Sequence, residues 1–244
     1  MSMEGLYTEH AAWWPLLTPP DTYVEEGQTY TDWLAEIRGS RPQRLLELGS
    51  GGGHLAMHIP SDIDVVLVDL SEPMLSVSRE LNPTKTHLCA DMRTVRLHEP
   101  VDSVLIHDAI MYMTTREDVL ATLRTAYENL IPGGALVLIP DVVKESFFER
   151  AVTGGNADAS RAIQLLEWHW DPDPEDDTFL VEFSYLLRQG QTVRNVYEQH
   201  RMGLFSFNDW CAMLTEVGFE FIPRPPEWMV DFGGEVFWAR RPNL

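Results

Sequence analysis

A doubly wound α/β fold around a mostly parallel sheet is the architecture this sequence predicts, and three observations carry the prediction. Short apolar runs without alternation recur at 45–48, 65–68, 103–106 and 135–139, the pattern of strands buried on both faces. Segments with helical periodicity separate them. A glycine-rich stretch follows the first run directly. Strand and helix thus alternate from about residue 44 to residue 140, an order that right-handed crossovers close into a doubly wound sheet.

The chain has 244 residues, 44% of them hydrophobic, with 38 acidic and 18 basic side chains and a formal charge of -20. That length suits one sizeable core with a small insertion. The negative field repels phosphate backbones and anionic lipid surfaces, so neither nucleic acid nor a membrane is an expected partner. Two cysteines, Cys89 and Cys211, are too few and too far apart for a disulfide framework or a zinc cluster. With no targeting stretch and no run of about 18 apolar residues, the expectation is a soluble cytoplasmic protein.

The elements are read in chain order. Residues 1 to 38 hold Tyr7, Trp13, Trp14, Tyr23, Tyr30 and Trp33, while Pro15, Pro19 and Pro20 break the beginning into turns. This predicts an aromatic cap and one helix. The glycine stretch is expected to open a second helix, with His54 and His58 at i and i+4. Their spacing matches zinc ligands, but the glutamate of a His-Glu-x-x-His site is missing and no third ligand follows, so no metal is expected. Thr115 predicts a helix N-cap, Glu117 and Asp118 its first turn, Val119, Leu120, Leu123, Ala126 and Leu130 its buried stripe, and Gly133 with Gly134 its stop.

After residue 140 the period changes. Segments 179–187 and 192–200 read as two strands joined at 188–191, which predicts a small antiparallel layer. Ser206 predicts the cap of a helix running to Val217, Gly218 its end, and 219–222 and 236–240 two last strands. The acidic stretch 171–177 carries prolines where a calcium loop bends and lacks the required glycine, so it reads as a solvated loop.

Chemistry concentrates in 47–53, Glu-Leu-Gly-Ser-Gly-Gly-Gly. Glycines at a strand-to-helix turn let the backbone approach a ligand, and the following N–H groups favour polar or anionic atoms. Asp69 ends the next run, 20 positions after Gly49, where a carboxylate can accept both ribose hydroxyls. A nucleoside ligand follows. A dinucleotide fingerprint would need a small residue where His54 stands. A nicotinamide-dependent oxidoreductase and a non-catalytic nucleoside-binding module are the alternative readings. An α/β-hydrolase is excluded, because no Gly-x-Ser-x-Gly is present.

The G-x-G-x-G spacing, Glu47 two places before it and Asp69 at the end of the second strand resemble the motifs of class I S-adenosylmethionine-dependent methyltransferases. Three further stretches fit that family: Cys-Ala-Asp-Met at 89–92, Ile-His-Asp-Ala at 106–109 and Leu-Ile-Pro-Gly-Gly at 130–134. Within it the chain resembles the small-molecule branch of sugar N,N-dimethyltransferases and glycine N-methyltransferase-like enzymes. The segments 21–26, 111–113 and 198–205 carry that likeness.

The resemblance implies a Rossmann-like sheet of seven strands, mostly parallel with an antiparallel C-terminal strand, plus an N-terminal helical cap and an inserted antiparallel β layer. It implies one domain over 1–244: a cap (1–40), a cofactor-binding core (41–141), an inserted substrate-side layer (142–205) and the end of the core sheet (206–244). S-adenosyl-L-methionine is the implied cofactor, bound by Tyr23, Glu47, Gly49, Ser50, Gly51, Gly53, Asp69, Leu70, Met74, Asp91, Met92, His107 and Asp108. The implied acceptor is a small molecule, methylated on nitrogen or oxygen with Tyr112 and His200 facing it, and the expected assembly is a monomer or a homodimer. In-line displacement requires nucleophile, methyl carbon and sulfur to be held in a row. The cap's aromatic faces suit a sulfonium cation, and His200 or Tyr112 can relay the acceptor's proton.

Overall fold

The computed structural model describes residues 5–224 and 235–243; residues 1–4, 225–234 and 244, which fall in the expected cap and C-terminal segment, lie outside the described residues. The cap consists of 3-10 turns and the single-turn helix α1 (Trp14–Leu17), and leads into α2 (Val24–Arg38). Then follow β1 (Arg44–Leu48), β2 (Asp64–Asp69), α3 (Glu72–Leu81), β3 (Thr86–Cys89), β4 (Val101–His107), α4 (Arg116–Asn129) and β5 (Leu130–Ile139). Strands β6 (Arg150–Ala157), β7 (Arg161–Trp170), β8 (Thr178–Gln189) and β9 (Thr192–Gly203) come next, before α5 (Phe207–Val217), β10 (Glu220–Ile222) and β11 (Phe237–Arg240).

Seven strands form one sheet in the order β10-β11-β5-β4-β1-β2-β3. Strands β1 to β5 run parallel, and β11 is antiparallel to both β5 and β10. The chain leaves β1 in opposite directions toward β2 and β4. That switch point, at the carboxyl ends of β1 and β4, is where open α/β sheets bind ligands.

Alternate residues of the central strands feed two cores. Leu45, Val65, Leu67, Leu105, Val137 and Ile139 pack beneath Tyr30, Trp33, Leu34 and Ile37 of α2. Leu46, Leu48, Val66, Val68, Val104, Ile106, Leu136 and Leu138 join the opposite core with Val119 and Leu123 of α4 and Trp210, Met213 and Leu214 of α5. Strands covered on both faces are predominantly apolar on both, which is why these runs show no alternation. Helix α5 starts from a full capping box, with the Ser206 side chain accepting from Asp209 N–H and the Asp209 carboxylate accepting from Ser206 N–H.

The remaining four strands form a separate antiparallel sheet, β6-β7-β8-β9. Its inner face carries Ile163, Phe179, Val181, Phe183, Tyr185 and Leu187, all in the same core as α4 and α5. The β8–β9 link is tighter than the expected span 188–191, because β8 reaches Gln189 and β9 begins at Thr192. Gly190 adopts φ 58° there, as a two-residue hairpin turn requires. The acidic stretch after Asp171 is exposed.

Two expectations are corrected. No helix follows the glycine stretch: His54 and His58 lie in a turn ending in a single 3-10 turn (Ala56–His58). Only six residues separate Gly53 from Pro60, too few to offset helix nucleation, and the residue before a proline is steered from the helical basin. Gly133 and Gly134 do not stop α4 but lie inside β5. The helix ends at Asn129, whose side chain donates to the Thr125 carbonyl (2.8 Å), and Leu130 is already extended at φ -78° and ψ 145°.

Gly53 fixes how the glycine turn sits on α3. It has φ 72°, and a Cβ there would lie 2.1 Å from Ser78 Oγ and 2.6 Å from Asn82 Nδ2. Gly53→Ala should therefore cost about 2–4 kcal/mol, the sum of positive-φ strain and overpacking. Ser206→Ala, which removes only a cap, should cost about 1 kcal/mol. Urea unfolding of both variants checks the ranking, and equal losses would contradict it.

Candidate active site

One cavity of about 690 Å³ lies over the carboxyl ends of the parallel strands and reaches the inner face of the four-stranded sheet. Glu47, Gly49, Ser50 and Gly51 wall it at the end of β1, Asp69 and Leu70 at the end of β2, and Met74 from α3. Asp91 and Met92 follow β3, His107 and Asp108 end β4, Tyr112 stands in the next 3-10 turn, and Tyr23 comes from the cap. Two expected residues are not on the wall. Gly53 faces α3, its carbonyl accepting from Asn82 Nδ2 at 2.8 Å, and His200 lies fully buried behind Tyr112.

The glycine turn is held open toward the cavity. Gly51 has φ 51°, and a Cβ built on it would meet only the Met74 methyl, at 3.5 Å. Gly51 N–H donates to Asp69 Oδ2 and Ser71 N–H to Asp69 Oδ1, both at 2.8 Å. Burial raises the Asp69 pKa against the opposing pull of these N–H groups. Glu47 Oε2 and Ser50 Oγ are buried in the wall with no hydrogen-bond partner. Unmet acceptors of this kind, beside backbone that a side chain would block, fit a ligand carrying hydroxyl and ammonium donors. Burial pushes the Glu47 carboxyl up to about 7, with His107 and Lys85 working against that shift.

At the end of β4, His107 Nε2 pairs with Asp108 Oδ1 at 2.9 Å. Burial opposes a charge on His107, but Asp108, Glu26 and Glu47 outweigh it and hold the imidazole pKa above its ordinary value. Asp108 is the only non-glycine with positive φ among the described residues, at 49°. Its ψ of -53° places it near the rare positive-φ γ-turn, strain of the kind that functional sites hold. Asp91 is paired with Arg93 (2.6 Å), which also binds Asp118 (2.7 Å).

Tyr112 and His200 are joined directly, His200 Nδ1 lying 2.7 Å from Tyr112 Oη. Beyond them His200 Nε2 lies 3.1 Å from Glu198 Oε2, and Tyr112 Oη lies 2.9 Å from Tyr7 Oη. Glu198 Oε2 also accepts from Leu6 N–H at 3.2 Å. Burial works against the Glu198 charge, but the bonds from His200 and Leu6 prevail and hold its pKa low. The Glu198 carboxylate accepts from His200 Nε2, and the Tyr112 hydroxyl donates to Tyr7. The chain of bonds fastens the cap to the inserted sheet beside the cavity.

Sequence reasoning missed several wall residues. Tyr7 and Trp14 were legible only as cap aromatics, and their rings lie 5.6 Å apart over the cavity. His54 is buried on the wall, where burial lowers its pKa to about 4 and keeps it neutral. Together with His58, whose Nε2 lies 2.9 Å from the Pro20 carbonyl, it contacts the cap, and His54 Nδ1 lies 3.5 Å from Thr18 Oγ1. No metal-ligand cluster occurs among the described residues. Asp141 after β5 and Glu167 on β7 also face the cavity; the carboxyl-end rule that singles out His107 and Asp108 points equally to Asp141.

A family profile described as a methyltransferase domain matches residues 46–138. The Bacillus subtilis protein YqeM is 25% identical over 206 residues, covering 78% of this chain and 80% of that protein. A dTDP-3-amino-3,4,6-trideoxy-alpha-D-glucopyranose N,N-dimethyltransferase of Streptomyces venezuelae is 26% identical over 198 residues, covering 80% of this chain and 83% of its own. Residues 46–138 form a methyltransferase domain, and S-adenosylmethionine is its cofactor.

Solved structures share the methyltransferase's fold throughout. Streptomyces venezuelae DesVI superposes with a TM-score of 0.80 at 21% identity, covering 99% of this chain and 100% of that one. CalS10, an amino pentose methyltransferase from Micromonospora echinaspora, gives 0.76 at 21% identity, with 90% and 91% covered. No helix among the described residues is long and apolar enough to cross a membrane.

The Glu47 shift sets a stability test for the methyltransferase. A carboxyl raised from 4.5 to about 7 on folding binds its proton more tightly in the folded state. The folded protein therefore loses stability as pH rises from about 4.5 to 7, by on the order of 2–3 kcal/mol. Glu47→Gln should flatten that dependence. Urea unfolding at pH 5 and pH 8 measures it, and an unchanged difference between the two pH values in the variant would contradict the burial argument.

Proposed function

We propose that the protein methylates an amine nitrogen of a small, ring-bearing acceptor of the amino-sugar class. The observation that carries the reading is the single cavity joining the glycine turn to the inner face of the four-stranded sheet. In this reading one cavity serves both as the nucleoside site and as the acceptor chamber. The chamber walls mix apolar Leu165, Phe179, Val181 and Phe183 with the carboxyls of Asp108, Asp141 and Glu167, a setting that suits an ammonium group on a small ring. The Streptomyces venezuelae relative supports the same class, since its name specifies N,N-dimethylation of an amino sugar.

Bound S-adenosylmethionine supplies a methyl group made electrophilic by its sulfonium. In our reading Gly49, Ser50 and Gly51 admit it through their close backbone, and Asp69 accepts from ribose hydroxyls with the lone pairs left after Gly51 and Ser71. Leu70, Met74, Asp91 and Met92 flank the adenine. Glu47, Tyr23, His107 and Asp108 hold the amino-acid end, where the unpartnered Glu47 oxygen meets an ammonium. Gly53 acts from behind, by seating the turn on α3. The cap (1–40) and inserted layer (142–205) close over the core (41–141) to exclude water, and the chain works as one domain with 206–244 completing the sheet.

Tyr112 orients the acceptor, and His200 acts through Tyr112 as a positioning residue. The reaction is an in-line displacement, so holding the acceptor nitrogen opposite the leaving sulfur is the main catalytic task. Oxygen acceptors would not need the carboxyl-lined chamber.

S-adenosylhomocysteine should raise the melting temperature, with a stabilisation of about 2.7 kcal/mol at 100 times its Kd, whereas NAD should not. Gly51→Val and Asp69→Ala should abolish that shift in folded protein. With labelled S-adenosylmethionine, amino sugars should be methylated and phenols should not. Tyr112→Phe and His200→Ala should then lower kcat by about 100-fold. A shift with NAD alone, or turnover confined to hydroxyl acceptors, would overturn the reading.

A further inference from the structure

Amine methylation needs a neutral nucleophile, yet a simple aliphatic amine is protonated at pH 7 and its lone pair is blocked. The site must therefore remove a proton as well as align the nitrogen. Most polar groups on or beside the wall are unsuited to accept one. His200 is off the wall and bonded at both ring nitrogens, to Tyr112 and to Glu198. Burial keeps His54 poorly basic and raises the phenols of Tyr7 and Tyr23, which makes their anions costly. Glu167 is committed to His169.

Toward the four-stranded sheet the wall also carries a pair of carboxyls. Asp108 follows β4 and Asp141 follows β5, and adjacent parallel strands bring the two side chains into hydrogen-bond contact on the cavity wall. A hydrogen bond between two carboxyl groups requires one proton between them. We infer that Asp141, paired with Asp108, is the catalytic base that takes the proton from the acceptor's ammonium. The inference deepens the amine-acceptor reading and rests on it.

The proton balance is simple. An ammonium at the wall stabilises the pair as two carboxylates, and the shared proton leaves to solvent. One N–H bond of the ammonium then breaks while an O–H bond forms on Asp141. The net charge of acceptor plus pair stays at one negative before and after. The freed lone pair forms the N–C bond as the C–S bond of the sulfonium breaks, giving a methylated ammonium and S-adenosylhomocysteine. Like-charge repulsion drives the pair to recover a proton, which makes Asp141 a better base than an exposed aspartate.

The surroundings divide the two carboxyls. Asp141 faces Asp108 and Glu167, with Arg150 as its opposing charge. Asp108 faces His107, which in turn faces Glu26 and Glu47 and lies 3.5 Å from the Tyr30 hydroxyl. Burial and then Asp108 raise the Asp141 pKa well above the carboxylate range, while His107 outweighs burial at Asp108 and holds its pKa down.

Asp141→Asn tests the assignment through three readouts. Calorimetry with S-adenosylhomocysteine should give wild-type affinity, which reports an intact fold and cofactor site. Infrared difference spectra at pH 7, wild type minus variant, should show a protonated-carboxyl band beyond the Glu47 signal that both proteins share. With an amine the wild type turns over, the variant's kcat/KM should fall about 100-fold at pH 7. It should then rise about tenfold per pH unit as the free amine forms, while the wild-type profile stays flatter, and Asp141→Glu should restore part of the rate. An absent difference band, or a variant whose rate and pH profile match wild type, overturns the inference while amine turnover by wild type keeps the functional reading. Failure of wild type to methylate any amine overturns both.

Discussion

The hydrogen bond from Gly51 N–H to the Asp69 carboxylate ties the glycine turn to the end of the neighbouring strand. The turn can follow β1 so sharply because Gly49, Gly51 and Gly53 all adopt positive φ. At Gly51 its backbone is left facing the cavity, with the Met74 methyl the nearest contact to an added Cβ. Asp69 spends lone pairs on Gly51 and Ser71 and still lines the wall. From this fixed corner the other walls take their places: β4 delivers His107 and Asp108 one strand away, the cap lies across the top, and the four-stranded sheet closes the far side.

The charge of the wall has a chemical logic. Its residues include six carboxyls, those of Glu47, Asp69, Asp91, Asp108, Asp141 and Glu167, against Arg93, Arg150 and Arg201. Arg93 is already paired with Asp91 and Asp118, so acidic groups outnumber basic ones on the wall. Both proposed occupants carry positive charge, one on sulfur and one on nitrogen, and fixed carboxylates compensate for the water they lose on entry. The unmet acceptors at Glu47 and Ser50 cost the empty fold stability that a ligand's donors restore.

The sheet was legible where burial on both faces left only apolar choices. Runs in β1, β2, β4 and β5 declared themselves for that reason, and the capped ends of α4 and α5 carried local signals in Thr115, Ser206 and Gly218. Strand β3 has no such run because its residues are exposed or half-buried, and β6 is almost wholly exposed and interrupted by two glycines. The helix expected after Gly53 is overridden by a nearby proline, which leaves a turn. At the site, local motifs disclosed Glu47, the glycines and Asp69, and the carboxyl end of β5 pointed to Asp141, whereas Tyr7 converges on it from a distant segment and has no local signature. The bonded Tyr112 and His200 lie 88 residues apart, a pairing that spacing alone could not supply.

The central claim is that the glycine turn and Asp69 hold the nucleoside end of the cofactor while the inserted sheet bounds the acceptor chamber. A crystal structure with S-adenosylhomocysteine tests it most directly. The account predicts the ribose against Asp69, the amino-acid end within hydrogen-bond reach of Glu47, and an open space between the sulfur and Asp141. A product seated against the four-stranded sheet, or one leaving Asp69 and Glu47 untouched, would contradict it.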